Sequence, residues 1–148
     1  MHDITQSLPF CDNSFDVVFS NNTLYTISQK KRRKVFKEIY RVVKKEGMVV
    51  VCNLNDLFDP KKIYFAHIKE SVTRYGLWKT VVDLFELVIP TINMFYYNYL
   101  IKKENTQGSY AFFKKEEQAN SLKEVGFSLL GKTKSCYAGQ AFFDIGIK

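Results

Sequence analysis

The sequence is poor in cysteine, histidine and glycine, and each shortage excludes a class of site. Three cysteines among 148 residues form no C-x-x-C pair, which argues against a disulfide framework or a zinc site and favours a reducing compartment. We therefore expect no metal centre and a cytoplasmic location. The two histidines, His2 and His67, leave few candidates for a histidine base. The glycines form no G-x-G-x-x-G motif, so the sequence lacks a Gly-rich nucleotide-binding turn.

The sequence also lacks a long apolar run free of charges. The one candidate, Thr80–Ile101, contains Asp83, Glu86 and Pro90. A carboxylate in a bilayer core costs several kcal/mol. We therefore interpret this run as a buried or interfacial helical segment, and peripheral membrane contact is open but not favoured. The N-terminus shows neither the basic nor the apolar region of a signal peptide.

Composition fits one globular domain over residues 1–148. The chain is 46% hydrophobic and 25% charged, and its 22 basic against 15 acidic residues give a formal charge of +7. An acidic partner would suit this charge, but a basic solvated surface explains it as well. Lys30–Lys34 is a basic run that we interpret as the solvated face of a helix, and we predict no specific nucleic-acid partner.

The clearest secondary-structure signal lies in the first third of the chain. Phe15–Asn21, "FDVVFSN", is apolar on both faces, as is typical of a strand covered on both sides in a parallel sheet. A helix is predicted next, with Ser28 as its N-cap and apolar residues at helical spacing. Gly47 then marks a tight turn, and Met48–Leu54 is a second apolar strand.

The order of strand, polar tip, helix, turn and strand predicts a right-handed βαβ crossover, the unit of a doubly wound α/β sheet. Ligands of such sheets bind beyond the carboxyl ends of the strands. Ser20, Asn21 and Asn22 occupy that position after the first strand. Their short polar side chains can hydrogen-bond a ligand, so we predict that they bind a cofactor or substrate. The alternative is that the asparagines only satisfy the backbone at a strand end.

"DITQSLPFCDNSFDVVFSNNTLYTI", followed by "FKEIYRVVKKEGMVVV", resembles the second half of a class I S-adenosylmethionine-dependent methyltransferase, with the pattern of the type 11 family. The resemblance implies a partial Rossmann-like α/β sheet with S-adenosylmethionine as cofactor. It places Asp3 near the adenine and Ile4 beside the ring. Glu38-x-x-Arg41 and Gly47 match the helix and the turn that lead into the family's fifth strand.

Departures from the family pattern accompany this resemblance. His2 stands where the family usually has Gly, Lys45-Glu46 replaces a common Pro-Gly, and Tyr25 stands where many relatives carry His. The family's first strand, Gly-rich turn and ribose-binding second strand have no counterpart here. We therefore expect a fold without its first strands, with one side of its sheet lacking neighbours. Binding of S-adenosylmethionine by this chain alone is expected to be weak or absent.

Residues 57–110 are predicted to be a helical, aromatic-rich insertion. Trp78, Val82, Phe85 and Ile89 recur on one helical face. In relatives the segment after the fifth strand often forms a lid over the acceptor, and aromatic side chains would suit a hydrophobic acceptor. The alternative is that these rings build the insertion's own core.

The remaining residues complete the predicted sheet. A helix is expected within Lys114–Phe127, ending at Gly126. The segments "FSLLGKT" and "QAFFDIGIK" are expected to be two strands joined by "KSCYAG". A reversed final strand pair is usual in the family that the chain resembles.

Two functions follow from the resemblance. The first is methyl transfer from S-adenosylmethionine to a small acceptor, with Tyr25 and Trp78 as candidate acceptor contacts and no general base assigned. The missing half would come from a separate polypeptide, a homodimer or a longer gene product. The second is an inactive remnant that serves as an interaction module through its exposed sheet edge.

Overall fold

A parallel strand–helix–strand unit organises the first part of the chain. The structure is a computed structural model that describes residues 2–106 and 110–148. Strand β1 is Phe15–Asn21, a short 3-10 helix spans Leu24–Thr26, helix α1 is Gln29–Val42, and strand β2 is Val43–Leu54. Strands β1 and β2 are adjacent and parallel, which confirms the predicted crossover connectivity.

The register of β1 and β2 is regular over most of their length. Val17 pairs with Met48 and Asn21 with Cys52, but the register shifts between Phe15 and Val17. A tight turn was predicted at Gly47; β2 already begins at Val43, but its pairing with β1 passes from Val43 to Met48 and leaves residues 44–47 as an irregular segment at that place. The backbone there is irregular: Glu46 has φ +63°, and a Cβ at Gly47 would lie 2.9 Å from the carbonyl oxygen of Asp16. Glycine is therefore required by close backbone approach.

The C-terminal elements complete a five-stranded mixed sheet. Helix α5 is Glu117–Val125, and strands β3, β4 and β5 are Ser128–Leu129, Lys134–Cys136 and Ala141–Ile147. The strand order is β1-β2-β5-β3, with β4 also paired to β5. Strand β5 is antiparallel to β2, β3 and β4, which confirms the predicted reversal. The segment "KSCYAG" was predicted as a connection, but its first three residues form β4.

The core lies between one face of the sheet and helices α1 and α5. It contains side chains from α1, α5, β2 and the loops that flank them: Leu24, Ile27, Val35, Phe36, Ile39, Val43, Val49, Val51, Phe113, Leu122 and Phe127. Burying a side chain of this size stabilises the fold by roughly 1.5–3 kcal/mol before entropy is subtracted. The opposite face of β1 is open, because Val17 and Phe19 are 50% and 64% exposed. The apolar pattern of β1 predicted burial on both of its faces, and one face is exposed instead. This agrees with the expectation that one side of the sheet lacks neighbours.

The basic run Lys30–Lys34 contains one exception to the predicted solvated face. Arg32 is 3% exposed, and its Nη1 donates to Glu117 Oε1 at 2.9 Å. Its guanidinium carbon lies 3.8 Å from the centroid of the Phe113 ring. The sequence did not reveal this because the partners come from α5 and from the loop that precedes it. Arg32 therefore fastens α5 to α1.

Three helices follow β2 and leave most of their apolar side chains in solvent. Helix α2 is Pro60–Tyr75, α3 is Leu77–Glu86 and α4 is Val88–Thr106. They contact each other, with Tyr64 of α2 and Phe95 of α4 at 5.7 Å between ring centroids. Residues 107–109, within the predicted insertion, lie outside the described residues. Across the described parts of the chain, no helix is sufficiently long and apolar to cross a membrane.

Candidate functional site

The carboxyl ends of β1 and β2 form the polar edge of the sheet. Ser20 is half-buried and Asn21 is exposed at the end of β1. Asn22 follows in a left-handed conformation with φ +50°, and its backbone N–H donates to the Cys52 carbonyl at 2.8 Å. Its Oδ1 atom is buried without a hydrogen-bond partner. An unsatisfied buried acceptor of this kind is costly, so this position is suited to a ligand or water that donates a hydrogen bond.

Asp3 and Ile4 border an open cavity of about 540 Å³ beside that edge. Across the cavity lie Thr23, directly after Asn22, and Thr26. The Asp3 carboxylate accepts hydrogen bonds from the Thr5 backbone N–H and hydroxyl, both at 2.9 Å. These bonds lower the pKa of Asp3, so the group is a carboxylate at neutral pH. The cavity therefore combines an anionic acceptor with the partly buried side chain of Ile4.

The loop between Asp3 and β1 is held by two ion pairs that share Arg41. Arg41 Nη2 lies 2.9 Å from Glu38 Oε2, and Arg41 Nη1 lies 2.7 Å from Asp12 Oδ1. Glu38 also accepts from the Leu8 backbone N–H at 2.9 Å, and Arg41 donates to the Leu8 carbonyl at 3.0 Å. The bonds from Arg41 and Leu8 lower the pKa of Glu38 from 4.5 to about 2. The matched Glu-x-x-Arg pattern thus positions the loop that carries Asp3.

A buried amide network holds the segment after β1 from the other side. Asn53 Oδ1 accepts from the Leu24 backbone N–H at 2.9 Å, and Asn53 Nδ2 donates to Gln118 Oε1 at 2.8 Å. Gln118 Nε2 donates to Asp144 Oδ2 at 2.8 Å, and Thr133 donates to the other oxygen of Asp144 at 2.6 Å. Sequence reasoning missed this network. The available signal was an asparagine inside the otherwise apolar run "MVVVCNL".

The two candidate acceptor contacts lie in different surroundings. Tyr25 is half-buried, with ring centroids 5.9 Å from Tyr110 and 5.4 Å from Phe112. Burial raises the pKa of the Tyr25 hydroxyl. Trp78 lies on α3, whose main contacts are with α2 and α4, and it is 82% exposed. Within the described part of the chain, no ring contact joins Tyr25 and Trp78.

The cysteines do not form a metal centre in the described residues. No group of three or more His, Cys, Asp or Glu side chains is placed there to hold a metal ion. Cys52 and Cys136 are free thiols whose sulfur atoms lie 3.3 Å apart. Burial and this contact raise the pKa of Cys52 to about 12, so its thiol is a poor nucleophile at neutral pH.

Comparison with known proteins connects this geometry to a family. Residues 1–51 match the sequence model of the type 11 family, described as "Methyltransferase domain". No curated protein sequence matches the chain. The match to the type 11 model covers the loop with Asp3, strand β1 with the residues that follow it, helix α1 and β2 as far as Val51; the carboxyl end of β2 lies beyond it.

Solved methyltransferase structures match almost the whole chain at low identity. A possible histamine N-methyltransferase from Thermotoga maritima has 16% identity and a TM-score of 0.55, over 99% of this chain and 62% of that one. A S-adenosylmethionine-dependent methyltransferase from Methanosarcina mazei has 18% identity and a TM-score of 0.56, over 99% and 65%.

A third match is the complex between the Haloferax volcanii Trm112 methyltransferase activator and a putative methyltransferase. It has 12% identity and a TM-score of 0.55, over 99% of this chain and 59% of that one. The chain thus spans about three fifths of each of these structures. It has the Rossmann-like fold of the class I methyltransferases, and its first 51 residues match their type 11 family.

Proposed function

We propose that this chain forms the C-terminal part of a S-adenosylmethionine-dependent methyltransferase that transfers a methyl group to a small acceptor. The observation that carries the proposal is the polar edge of the sheet, where the Asp3 cavity is bordered by Thr23, the residue that follows Asn22 and its unpartnered Oδ1. This edge is where doubly wound sheets bind nucleosides. The family match of residues 1–51 covers the Asp3 loop, β1 and Asn22, but not the carboxyl end of β2.

The residues at this edge fit the nucleoside end of the cofactor. The Asp3 carboxylate would accept hydrogen bonds from a hydroxyl or amino group, and Ile4 would lie against the adenine ring. Asn22 would offer its Oδ1 to a donor on the ligand, and Ser20 and Asn21 would line the approach. When bound, S-adenosylmethionine supplies an electrophilic methyl group on its sulfonium. The protein's main contribution to rate would be to align the acceptor with that methyl group.

We further propose that α2–α4 act as a lid over a small, hydrophobic acceptor. These helices follow β2 directly, so they leave the sheet at its carboxyl edge. Tyr25, which lies beside Phe112, would contact the acceptor from the protein core. Trp78 would contact it from the lid. We assign no general base, since nothing in the positions of Tyr25, Trp78 or the Asp3 cavity favours one residue for that role.

A complementing N-terminal half, or a second copy of the chain, would complete the site. Strand β1 pairs with β2 alone in the described sheet, and Val17 and Phe19 are exposed on it. Added strands would pair with the free edge of β1, and the helices that connect them would cover Val17 and Phe19 and supply contacts to the methionine end of the cofactor. Protein partners also suit this fold, since one matched structure is a complex with a methyltransferase activator.

The exposed β1 also favours a second candidate function. An inactive methyltransferase-like module would use the free edge of β1 and its exposed apolar face to bind another protein without binding cofactor. Open edge strands pair readily with other chains. The two candidates differ in one measurable property, which is whether cofactor binding appears once the edge is covered.

Calorimetric titration with S-adenosylmethionine tests the first candidate. We expect the chain alone to bind with a Kd of roughly 1 mM or weaker. Mixed with a polypeptide that carries a strand and a Gly-rich turn from a related methyltransferase, it should bind at least about tenfold more tightly. Asp3→Asn should weaken that binding, whereas the matched surface change Asp56→Asn should not.

Either of two results would contradict the proposal. Micromolar binding by the chain alone would show that the described elements are already a complete site. Unchanged binding after complementation, with a complex demonstrated by ultracentrifugation, would favour the inactive module instead.

A further inference from the structure

Helices α3 and α4 turn their apolar side toward solvent. Only Leu87 separates them, and the Thr91 backbone N–H donates to the Leu87 carbonyl at 2.8 Å. We define their outer face as five residues at helical spacing: Trp78, Val82, Phe85, Ile89 and Ile92. These side chains are 82%, 43%, 76%, 72% and 63% exposed.

The opposite side of the same helices is less exposed and carries both polar and apolar side chains; Leu84, Met94 and Phe95 are half-buried there. Thr80 is 3% exposed, and its hydroxyl donates to the Gly76 carbonyl at 2.9 Å. Asp83, Thr91 and Asn98 are half-buried on this side. An amphipathic helix in water normally buries its apolar side. The outer face is nevertheless a continuous apolar surface left in water, which indicates that it contacts an apolar partner in the functional state.

Aromatic and basic residues surround the outer face. Tyr75, at the end of α2, is 57% exposed and lies 5.8 Å from Lys79 Nζ. Tyr96, Tyr97 and Tyr99 continue along α4 and are all more than half exposed. Trp and Tyr are the residues that concentrate at the boundary between lipid headgroups and acyl chains. Their amphipathic rings place an apolar body in the membrane and a polar atom in water.

The charge of the protein favours an anionic membrane over a second copy of the chain as the partner of the outer face. Helix α2, which packs on α3, carries Lys61, Lys62, Lys69 and Arg74 against one carboxylate, Glu70. The whole chain has a formal charge of +7. Two copies with this charge repel each other, whereas an anionic bilayer attracts each copy. Lysines beside an apolar helix face can also extend toward headgroups while their methylene groups remain in the apolar layer.

We propose that the outer face of α3 and α4 docks on an anionic membrane surface, with Trp78, Phe85 and Ile89 inserted at the level of the headgroups. Helix α3 would lie parallel to the surface, because it is 10 residues long and carries Asp83 and Glu86. The basic side chains of α2 would contact the lipid phosphates. This inference requires no bound cofactor, but it gives Trp78 a membrane contact in place of the acceptor contact proposed above, so the two assignments of this side chain are alternatives.

The single tryptophan makes the inference directly measurable. The chain contains one Trp, and it is the most exposed residue of the outer face. The full chain is titrated with vesicles of phosphatidylcholine alone, or with about one third phosphatidylglycerol. We expect the emission of Trp78 to shift to shorter wavelength with the anionic vesicles. We expect binding to them to be roughly tenfold tighter or more than to neutral vesicles, and to weaken in high salt.

Matched variants separate the outer face from general surface effects. Phe85→Ser with Ile89→Ser keeps the fluorescent reporter and should reduce binding by roughly tenfold or more. Leu130→Ser is the control, because Leu130 is 57% exposed in the connection that follows β3. Lys61→Glu with Lys62→Glu should reduce the preference for anionic vesicles. Circular dichroism of each variant checks that it is folded.

Three outcomes would overturn the inference. The first is unchanged Trp78 emission with every vesicle. The second is equal vesicle binding by Phe85→Ser/Ile89→Ser and by the Leu130→Ser control. The third is a blue shift that rises with protein concentration without vesicles, with a dimer seen by ultracentrifugation, which would assign the outer face to a second copy. Because the assay contains no S-adenosylmethionine, these outcomes leave the proposed methyltransferase function untouched.

Discussion

Replacing Glu38 by glutamine tests whether the Glu38–Arg41 pair holds the N-terminal loop. The pKa of Glu38 is lowered from 4.5 to about 2, chiefly by its hydrogen bonds with Arg41 and then with the Leu8 backbone. A shift of this size corresponds to roughly 3 kcal/mol of stabilisation. The Glu38 side chain is 16% exposed and Arg41 27%, so solvent screening reduces the expected loss to about 2 kcal/mol. For a chain of this length that is a fall in Tm of roughly 4–8 °C.

The stabilisation by Glu38 should decrease as the pH falls. Because the pKa of Glu38 is lower in the folded state, the unfolded chain binds more protons as the pH falls through 4.5. The stabilisation is complete above that pH and is lost toward about pH 2. Urea unfolding should therefore show the full difference between wild type and Glu38→Gln at pH 7, and roughly half of it or less at pH 3.

The exposed Glu70–Arg74 pair provides the matched control. Glu70→Gln removes an exposed i,i+4 pair with Arg74, whose side chains are 60% and 65% exposed, and should change stability by less than about 0.5 kcal/mol. The reasoning would be refuted if Glu38→Gln behaved like this control at pH 7. It would equally fail if the difference between Glu38→Gln and wild type stayed constant from pH 7 to pH 3.

Two further predictions concern α5. Glu117→Gln leaves the buried Arg32 without its charged partner and should lower the free energy of unfolding in urea by about 2 kcal/mol. Adding Arg32→Met to the same chain should restore at least half of that loss. Simple additivity of the two changes would contradict this prediction. Gly126→Ala should cost about 2–3 kcal/mol, because φ is +114° and the new Cβ would lie 3.0 Å from the Tyr40 ring. Gly131→Ala, with φ +86° and open space around it, should show only the backbone cost of about 1–2 kcal/mol, and equal losses at the two glycines would argue against the Tyr40 contact.

The sequence was most informative where structure depends on neighbouring residues. The observed bounds of β1 and α1, Phe15–Asn21 and Gln29–Val42, agree with the apolar pattern of the sequence. That pattern did not predict the burial of β1, since Val17 and Phe19 are exposed. Gly126 correctly marked the end of α5, where it adopts a left-handed conformation. Ser28 occupies the predicted N-cap position, although its side chain makes no capping bond.

The sequence was least informative where partners are distant along the chain. Arg32 looks like any surface cation until Glu117 and Phe113 are placed beside it. The pairing of Asn53 with Gln118 links residues that only the sheet brings together. The outer face of α3 and α4 was also beyond prediction from the sequence. Periodicity indicates which side of a helix is apolar, but it does not show what lies against that side. The assignments of Asp3, Ile4, Ser20, Asn21, Asn22, Tyr25 and Trp78 to ligands stay predictions.

The position of β5 has a consequence for how the chain folds during synthesis. Strand β2 is an inner strand of the sheet, yet its second partner, β5, lies about 90 residues later in the chain. At about 5–20 residues per second, a ribosome would need roughly 5–20 s to produce that partner after β2 has emerged. During that interval, the edge of β2 that β5 will occupy carries unpaired backbone groups and is a site for aggregation. We therefore expect yield in cells to depend on chaperones that shield nascent strands, and to fall when translation slows between Leu54 and Ala141.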